Sequence, residues 1–172
     1  MIFVYIFGGL IVVLLLIAAL MPKSYNVEKS IIIKKPASEV QSKITDFNAY
    51  AIWNPWQKME PAAKKTITGT PGTVGHRYEW QGKKIGIGNL TVKHVDEKHV
   101  NLDLQFLKPW KASAKDNWVF EPWGDGSETK LTWQNSGNLP WPMARLMGPM
   151  INKNLNQQFG TGLDNLKQMV ET

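Results

Sequence analysis

The sequence predicts an α+β fold, an antiparallel sheet covered by one long C-terminal helix, behind a single transmembrane helix. Three observations carry this. Residues 2–21, IFVYIFGGLIVVLLLIAALM, hold no charge. From Gly75 to Gln134 apolar and polar residues alternate in runs separated by short turns, the period of half-buried strands. From Pro142 to Val170 apolar residues recur in steps of three and four, the period of a helix with one buried face.

At about 1.5 Å per residue the N-terminal run spans roughly 30 Å, the thickness of a bilayer's hydrocarbon core. No basic segment precedes it, it is longer than the roughly 7–15 apolar residues of a signal-peptide core, and Ala18-Ala19-Leu20-Met21 makes a poor cleavage site. Residues 1–21 therefore read as a membrane anchor, with a cleaved signal peptide as the alternative. So long an uninterrupted apolar run exceeds what the core of a small soluble domain needs. Residues 22–172 read as one domain, long enough to bury a core without metal or disulfide staples.

Pro22 ends the anchor. In Tyr25–Ile33, Val27, Ile31 and Ile33 share one parity, which predicts a strand. Pro36 suits the first turn of a helix over Ala37–Asp46, where Val40 and Ile44 lie four apart. Phe47–Trp56, aromatic and broken by Pro55, is a second short helix or a turn. Lys64–Gly69 is a brief strand and Pro71-Gly72 a turn. His76, Tyr78 and Trp80 share one face of the next strand. In the strand Ile85–Val95, Gly86 and Gly88 point to a bulge or a close backbone approach. Val100, Leu102, Leu104 and Phe106 alternate with Asn101, Asp103 and Gln105, the clearest half-buried strand.

Ala112, Ala114, Asp116, Trp118 and Phe120 then share a parity, Trp123-Gly124-Asp125-Gly126 is a hairpin loop, and Thr129, Leu131 and Trp133 alternate in the last strand. The C-terminal stripe is Leu155, Phe159, Leu163, Leu166 and Val170, extended upstream by Leu146, Met147, Met150 and Ile151. Gly148-Pro149 is expected to kink or split this helix. Short turns exclude parallel βαβ units. The predicted order is one strand, short helices, a meander of five or six antiparallel strands, and a long helix covering the sheet's apolar face.

Composition narrows the chemistry. There is no cysteine, which removes disulfides, thiolate metal sites and thiol nucleophiles. The net charge of +6 comes from scattered lysines, in no run beyond pairs such as Lys34-Lys35, Lys64-Lys65 and Lys83-Lys84, which describes a solvated surface and not a nucleic-acid site. His76, His94 and His99 have no metal-site spacing, and no metal is expected. G-x-S-x-G, H-E-x-x-H and P-loop motifs are absent, and Gly86-Ile87-Gly88 is no dinucleotide fingerprint, so no cofactor is expected. Asn89-Leu90-Thr91 matches a glycosylation sequon, inside a predicted strand.

Several segments carry a resemblance: Trp53-Asn54-Pro55-Trp56, Glu60-Pro61, Gly72-Thr73-Val74-Gly75 with Tyr78-Glu79-Trp80 and Gly82, then Gly86-Ile87-Gly88, Thr129-Lys130-Leu131-Thr132-Trp133, and Phe159-Gly160-Thr161-Gly162-Leu163-Asp164-Asn165-Leu166-Lys167. In this order they resemble the START-related helix-grip superfamily (SRPBCC), in particular its polyketide cyclase/dehydrase-like proteins. The resemblance spans about Tyr25 to Val170. It implies a helix-grip fold, a curved antiparallel sheet wrapped around the C-terminal helix with a cavity for an apolar ligand. It implies no reaction, because the superfamily includes carriers, sensors and enzymes.

Eight tryptophans all lie beyond the anchor. Trp80, Trp118 and Trp133 fall on the apolar parity, where they wall a cavity or pack a plain core. Tyr78, Trp80, Leu102, Leu104, Phe106, Trp118, Trp133, Met150 and Phe159 are the candidate ligand-lining residues. Trp53, Trp56, Trp110, Trp123 and Trp141 fall in loops or at element ends, suited to a cavity mouth or to the membrane interface. Asp116 breaks an apolar parity. Facing a cavity, it would have a raised pKa and could act as acid, base or ligand anchor. Alternatively a bulge at Lys115–Asn117 turns it outward, or a lysine pairs with it. His76 and Tyr78 are the other candidate acid–base groups, while His94 and His99 flank a turn at the surface.

The expected function is membrane-anchored binding of a lipid or other apolar small molecule between sheet and helix. The alternative is a polyketide cyclase/dehydrase-like enzyme acting on an apolar substrate in the same cavity; a third reading is an interaction domain whose cavity is filled by its own side chains. The expected partners are the lipid bilayer and the apolar ligand, with no nucleic acid; the sequence leaves the oligomeric state open. Lys23, Lys29, Lys34 and Lys35 follow the anchor while only the α-amine precedes it. The positive-inside rule thus makes this a single-pass protein of the cell membrane with a cytoplasmic domain. A reporter fused after Thr172 is expected to behave as cytoplasmic, cleaved when protease is added to inside-out membrane vesicles, and a reporter protected in those vesicles would reverse this topology.

Overall fold

The computed structural model describes residues 2–172. The chain forms α1 (Ile2–Leu20), β1 (Ser24–Ile33), α2 (Ala37–Thr45), α3 (Phe47–Trp53), α4 (Pro55–Met59), β2 (Lys64–Thr68), β3 (Arg77–Gln81), β4 (Ile87–Val95), β5 (His99–Lys108), β6 (Ala112–Trp123), β7 (Glu128–Asn138) and α5 (Met143–Glu171). α1 is long and apolar enough to cross a membrane, a test that a signal sequence also passes. Ala18 is its one buried residue, and the helix touches α5.

The strands form one antiparallel sheet in the order β1-β7-β6-β5-β4-β3-β2. β2 to β7 are a six-stranded meander, and β1 closes the sheet beside β7 with Ser24 opposite Asn138 and Ile33 opposite Thr129. Short polar caps break the connection between β1 and β2 into three helices. The Asp46 carboxylate accepts the Asn48 N–H at 2.9 Å to start α3, and the Asn54 side chain accepts the Trp56 N–H at 2.9 Å to start α4, with Pro55 in the first turn.

Three expectations are corrected. β6 continues through Pro122 to Trp123, so the hairpin loop begins at Gly124. Phe120 N–H, on the same edge as Pro122, donates to the Lys98 carbonyl at 2.8 Å, and β5 begins only at His99, opposite Val119. The missing donor of Pro122 therefore faces no strand, the edge position proline tolerates. Second, β6 has no bulge at Lys115–Asn117: Ala114 to Trp118 pair in unbroken register with both neighbours. The irregularities lie in β4, between Ile87 and Gly88 and between Val92 and His94, where bulges add twist to the sheet. Third, α5 runs unsplit through Pro149. Pro149 is exposed, so water can satisfy the backbone group that its ring leaves unpaired.

α5 packs in two different ways along its length. Phe159, Leu163, Leu166 and Val170 are buried on the sheet with Val27, Leu131 and Trp133. Gly162 permits this approach, since a Cβ there would lie 2.9 Å from the Trp133 ring. Upstream, Ala144, Met147, Ile151 and Leu155 are only half-buried, and they face a cavity instead of the sheet. The residues after α1 thus form a complete core, and a chain starting at Ser24 is expected to be soluble and to unfold cooperatively in urea. Aggregation of that truncated chain, with the full chain soluble without detergent, would place α1 in the core.

Candidate functional site

The cavity measures about 570 Å³ and lies between the N-terminal half of α5 and the inner face of the sheet. It exists because the two layers touch only at one end. There, Trp133 is sandwiched between Phe159, at 3.9 Å between ring centroids and 6° from parallel, and Trp118, at 4.3 Å and 20°. Trp53 meets both indoles edge-on at 6.0 Å. Trp133 and Phe159 of this stack form the closed floor. Trp80, Leu104 and Phe106 form one wall, and Trp56 and Leu155 line the cavity from the helices. Gly88 lets the Trp80 indole lie across β4, since a Cβ there would overlap the ring.

Asp116 is the one carboxylate on this lining, and it is 3 % exposed. Its Oδ1 accepts the Trp133 indole N–H at 2.8 Å and the Asn135 amide N–H at 2.9 Å, and its Oδ2 accepts only the longer Trp118 N–H at 3.3 Å. Asn135 in turn accepts the Tyr25 hydroxyl at 2.8 Å. No lysine or arginine pairs with Asp116 among the described residues. Burial pushes its pKa up to about 6, against the pull of the three donors. Burial, with the Asp116 charge second, pushes Tyr25 up to about 12, and burial does the same to Tyr78. The phenols facing the cavity stay protonated at neutral pH, and Tyr78 donates to the Gln57 side chain at 2.6 Å. Of these groups, Asp116 alone can change protonation state near neutrality.

The structure brings together Tyr78, Trp80, Leu104, Phe106, Asp116, Trp133 and Phe159 around this space. Leu102 and Trp118 are buried in the packed core, off the cavity. Met150 is 60 % exposed, since its position on α5 falls outside the stripe of Met147 and Ile151. His76 is buried against Phe47, with ring centroids 4.6 Å apart; its Nε2 accepts the Phe47 N–H and its Nδ1 lies 3.0 Å from the Thr68 carbonyl. Both nitrogens are engaged away from the cavity, which removes His76 as an acid–base candidate there. The sequence reading missed Tyr25, Tyr50, Gln57 and Asn135. Asn135 was findable: it continues the parity of Leu131 and Trp133, and it lies opposite Asp116.

The sequence pattern of the family described as "Polyketide cyclase / dehydrase and lipid transport" matches residues 24–171. The chain belongs to this family. Solved structures share its helix-grip fold at low identity. A Mesorhizobium loti protein is 16% identical with a TM-score of 0.63, covering 86% of this chain and 97% of its own. A Thermus thermophilus protein is 15% identical with a TM-score of 0.62, covering 85% and 97%. Norcoclaurine synthase of Thalictrum flavum, in complex with dopamine and hydroxybenzaldehyde, is 12% identical with a TM-score of 0.62 over 90% of each chain. No curated protein matches the sequence.

The raised pKa of Asp116 sets a pH signature. The native state holds this proton more tightly than the unfolded chain, so the contribution of Asp116 to stability is highest below the unfolded value of 3.8 and falls as pH rises to about 6. Holding the proton up to about pH 6 is worth roughly 3 kcal/mol. In urea titrations, Asp116→Asn is expected to gain up to that amount relative to wild type between pH 4 and pH 8. A constant difference across this range would mean that the carboxylate is not desolvated.

Proposed function

We propose that this protein is a membrane-anchored binding module that holds a lipid or other apolar small molecule in the cavity between sheet and α5. The cavity carries this reading: a space of about 570 Å³, walled chiefly by aromatic and aliphatic side chains, has one desolvated carboxylate. Few polar groups in a largely apolar pocket orient a ligand without specifying a reaction. The family description includes lipid transport, and α1 has the length and composition of an anchor. Such an anchor keeps the cavity where apolar molecules partition. Asp116 Oδ2, with a single long hydrogen bond, is the natural contact for a polar group on the ligand.

Asp116 also favours a second reading, an enzyme in which this carboxyl transfers a proton to or from an apolar substrate. Norcoclaurine synthase, of the same fold, is named as a synthase. Against this reading, Tyr78 donates its proton to Gln57 and His76 is turned away, and Tyr50, the phenol on the lining that feels the Asp116 charge, is held protonated by burial.

Native mass spectrometry of the full chain, purified from its own membranes, is expected to release a bound apolar molecule. An apolar fluorophore should also bind and quench tryptophan emission. Leu104→Trp fills the cavity, and it is expected to weaken that binding at least tenfold while leaving stability within about 1 kcal/mol. A loss of roughly 1–3 kcal/mol without any probe binding would identify an interior that is already packed. A purified protein that carries no ligand and binds no apolar probe would end the binding reading.

A further inference from the structure

We infer that the end of the domain carrying the cavity mouth rests on an anionic bilayer surface, so that the cavity opens into the lipid headgroup layer and not into bulk water. The inference rests on the reading of α1 as a membrane-spanning helix and adds an orientation to it.

The first support is the tether. The Cα steps from Leu20, the last residue of α1, to Ser24, the first of β1, reach about 14 Å at full stretch. The tether is also fastened: the Lys23 carbonyl accepts the Leu139 N–H at 2.7 Å. Leu139 lines the cavity and begins the loop that leads through Trp141 into α5. Antiparallel pairing brings the other mouth elements to the same end. β1 starts where β7 finishes, with Ser24 opposite Asn138, and the connection from β5 to β6 carries Pro109 and Trp110 there.

The second support is the character of that end. Trp110 is 67% exposed, Trp141 51% and Met143 61%, and all three line the cavity mouth. Large apolar side chains clustered around an opening mark a contact surface, and indole favours the headgroup layer in particular.

The third support is charge. No acidic residue precedes Glu28, none lies between Asp103 and Asp116, and none lies between Glu128 and Asp164. Those three segments supply the tether and the mouth loops. Lys23, Lys108 and Lys111 are exposed within them. Glu60 is the carboxylate beside the β3–β4 turn, and it is spent on the backbone N–H groups of Lys83, Lys84 and Ile85 at 2.8, 2.8 and 3.1 Å. The opposite end of the sheet is mixed: exposed Asp96, Glu97 and Asp125 lie there with exposed Lys34 and Lys98, and Glu121 is paired with Lys130 at 2.9 Å. The lysines of the tether side, with no carboxylate in their own segments, are the ones that match an anionic lipid surface.

Because the chain has no cysteine, single sites can be labelled cleanly. Trp110→Cys, Met143→Cys and, as control at the far end of β6, Trp123→Cys are each made in the full chain and coupled to an environment-sensitive fluorophore. They are then reconstituted into vesicles of brominated phosphatidylcholine and phosphatidylglycerol and floated after alkaline carbonate treatment. The expected result is that all three float, that labels at 110 and 143 are quenched by the bromines several-fold more than the label at 123, and that aqueous iodide quenches them less. If the protein floats with all three labels equally exposed to iodide, the orientation is overturned and the anchor stands. A protein that does not float overturns both. A disulfide forming under mild oxidation between copies of the unlabelled Trp110→Cys protein, with no bromine quenching of its labelled counterpart, would assign the face to a second copy of the chain and overturn the inference.

Discussion

The stack of Phe159, Trp133 and Trp118 is the contact on which the rest of the domain depends. It fixes α5 to the sheet at one level, with planar rings at 3.9 and 4.3 Å, and Gly162 lets the helix come that close. Below this level the apolar stripe of α5 meets the sheet directly and the interior is filled. Above it, the same stripe continues, but Met147, Ile151 and Leu155 are only half-buried and border the cavity. Sheets twist, and a helix laid over one meets it over only part of its length. The cavity is the space this mismatch leaves.

The stack also explains how a carboxylate survives in the interior. Two of the three donors to Asp116 are the indole N–H groups of the stacked tryptophans. Their rings are held by packing, so the donors are aimed before any ligand arrives. Every buried side-chain polar atom among the described residues has a hydrogen-bond partner. Even so, the three donors do not outweigh the loss of water around the charge, and the proton is held up to about pH 6. A group kept at that cost in an apolar space is the kind of feature that function retains.

Much of the fold was legible in the sequence because its elements are written in periodicities. The alternation of Val100, Leu102, Leu104 and Phe106, the β-branched run ending at Ile33, and the stripe through Leu155, Phe159, Leu163, Leu166 and Val170 each correspond to an observed element. The placement of Asp116 on an inner parity was also legible, though not the absence of a bulge beside it. Parity says which residues share a face; it does not say at what height along the strand that face is covered. Leu102 and Leu104 share a face of β5, yet one is sealed in the core and the other lines the cavity. Likewise Met147 and Met150 lie within one turn of α5, and only the former points inward.

The sequence by itself determined the uncharged N-terminal helix, the order of strands and helices, and the family, because each rests on local composition or on short words of sequence. Tertiary structure alone decided where the interior is empty, which of the shared-face residues border that space, and what surrounds Asp116. Those depend on the distance between two layers, set by the twist of the sheet and by one three-ring contact between residues far apart in the chain. It also decided that the tether of α1, the loop at Leu139 and the exposed Trp110 and Trp141 share one end of the molecule. Antiparallel pairing of β1 with β7, across more than a hundred residues of sequence, brings them there.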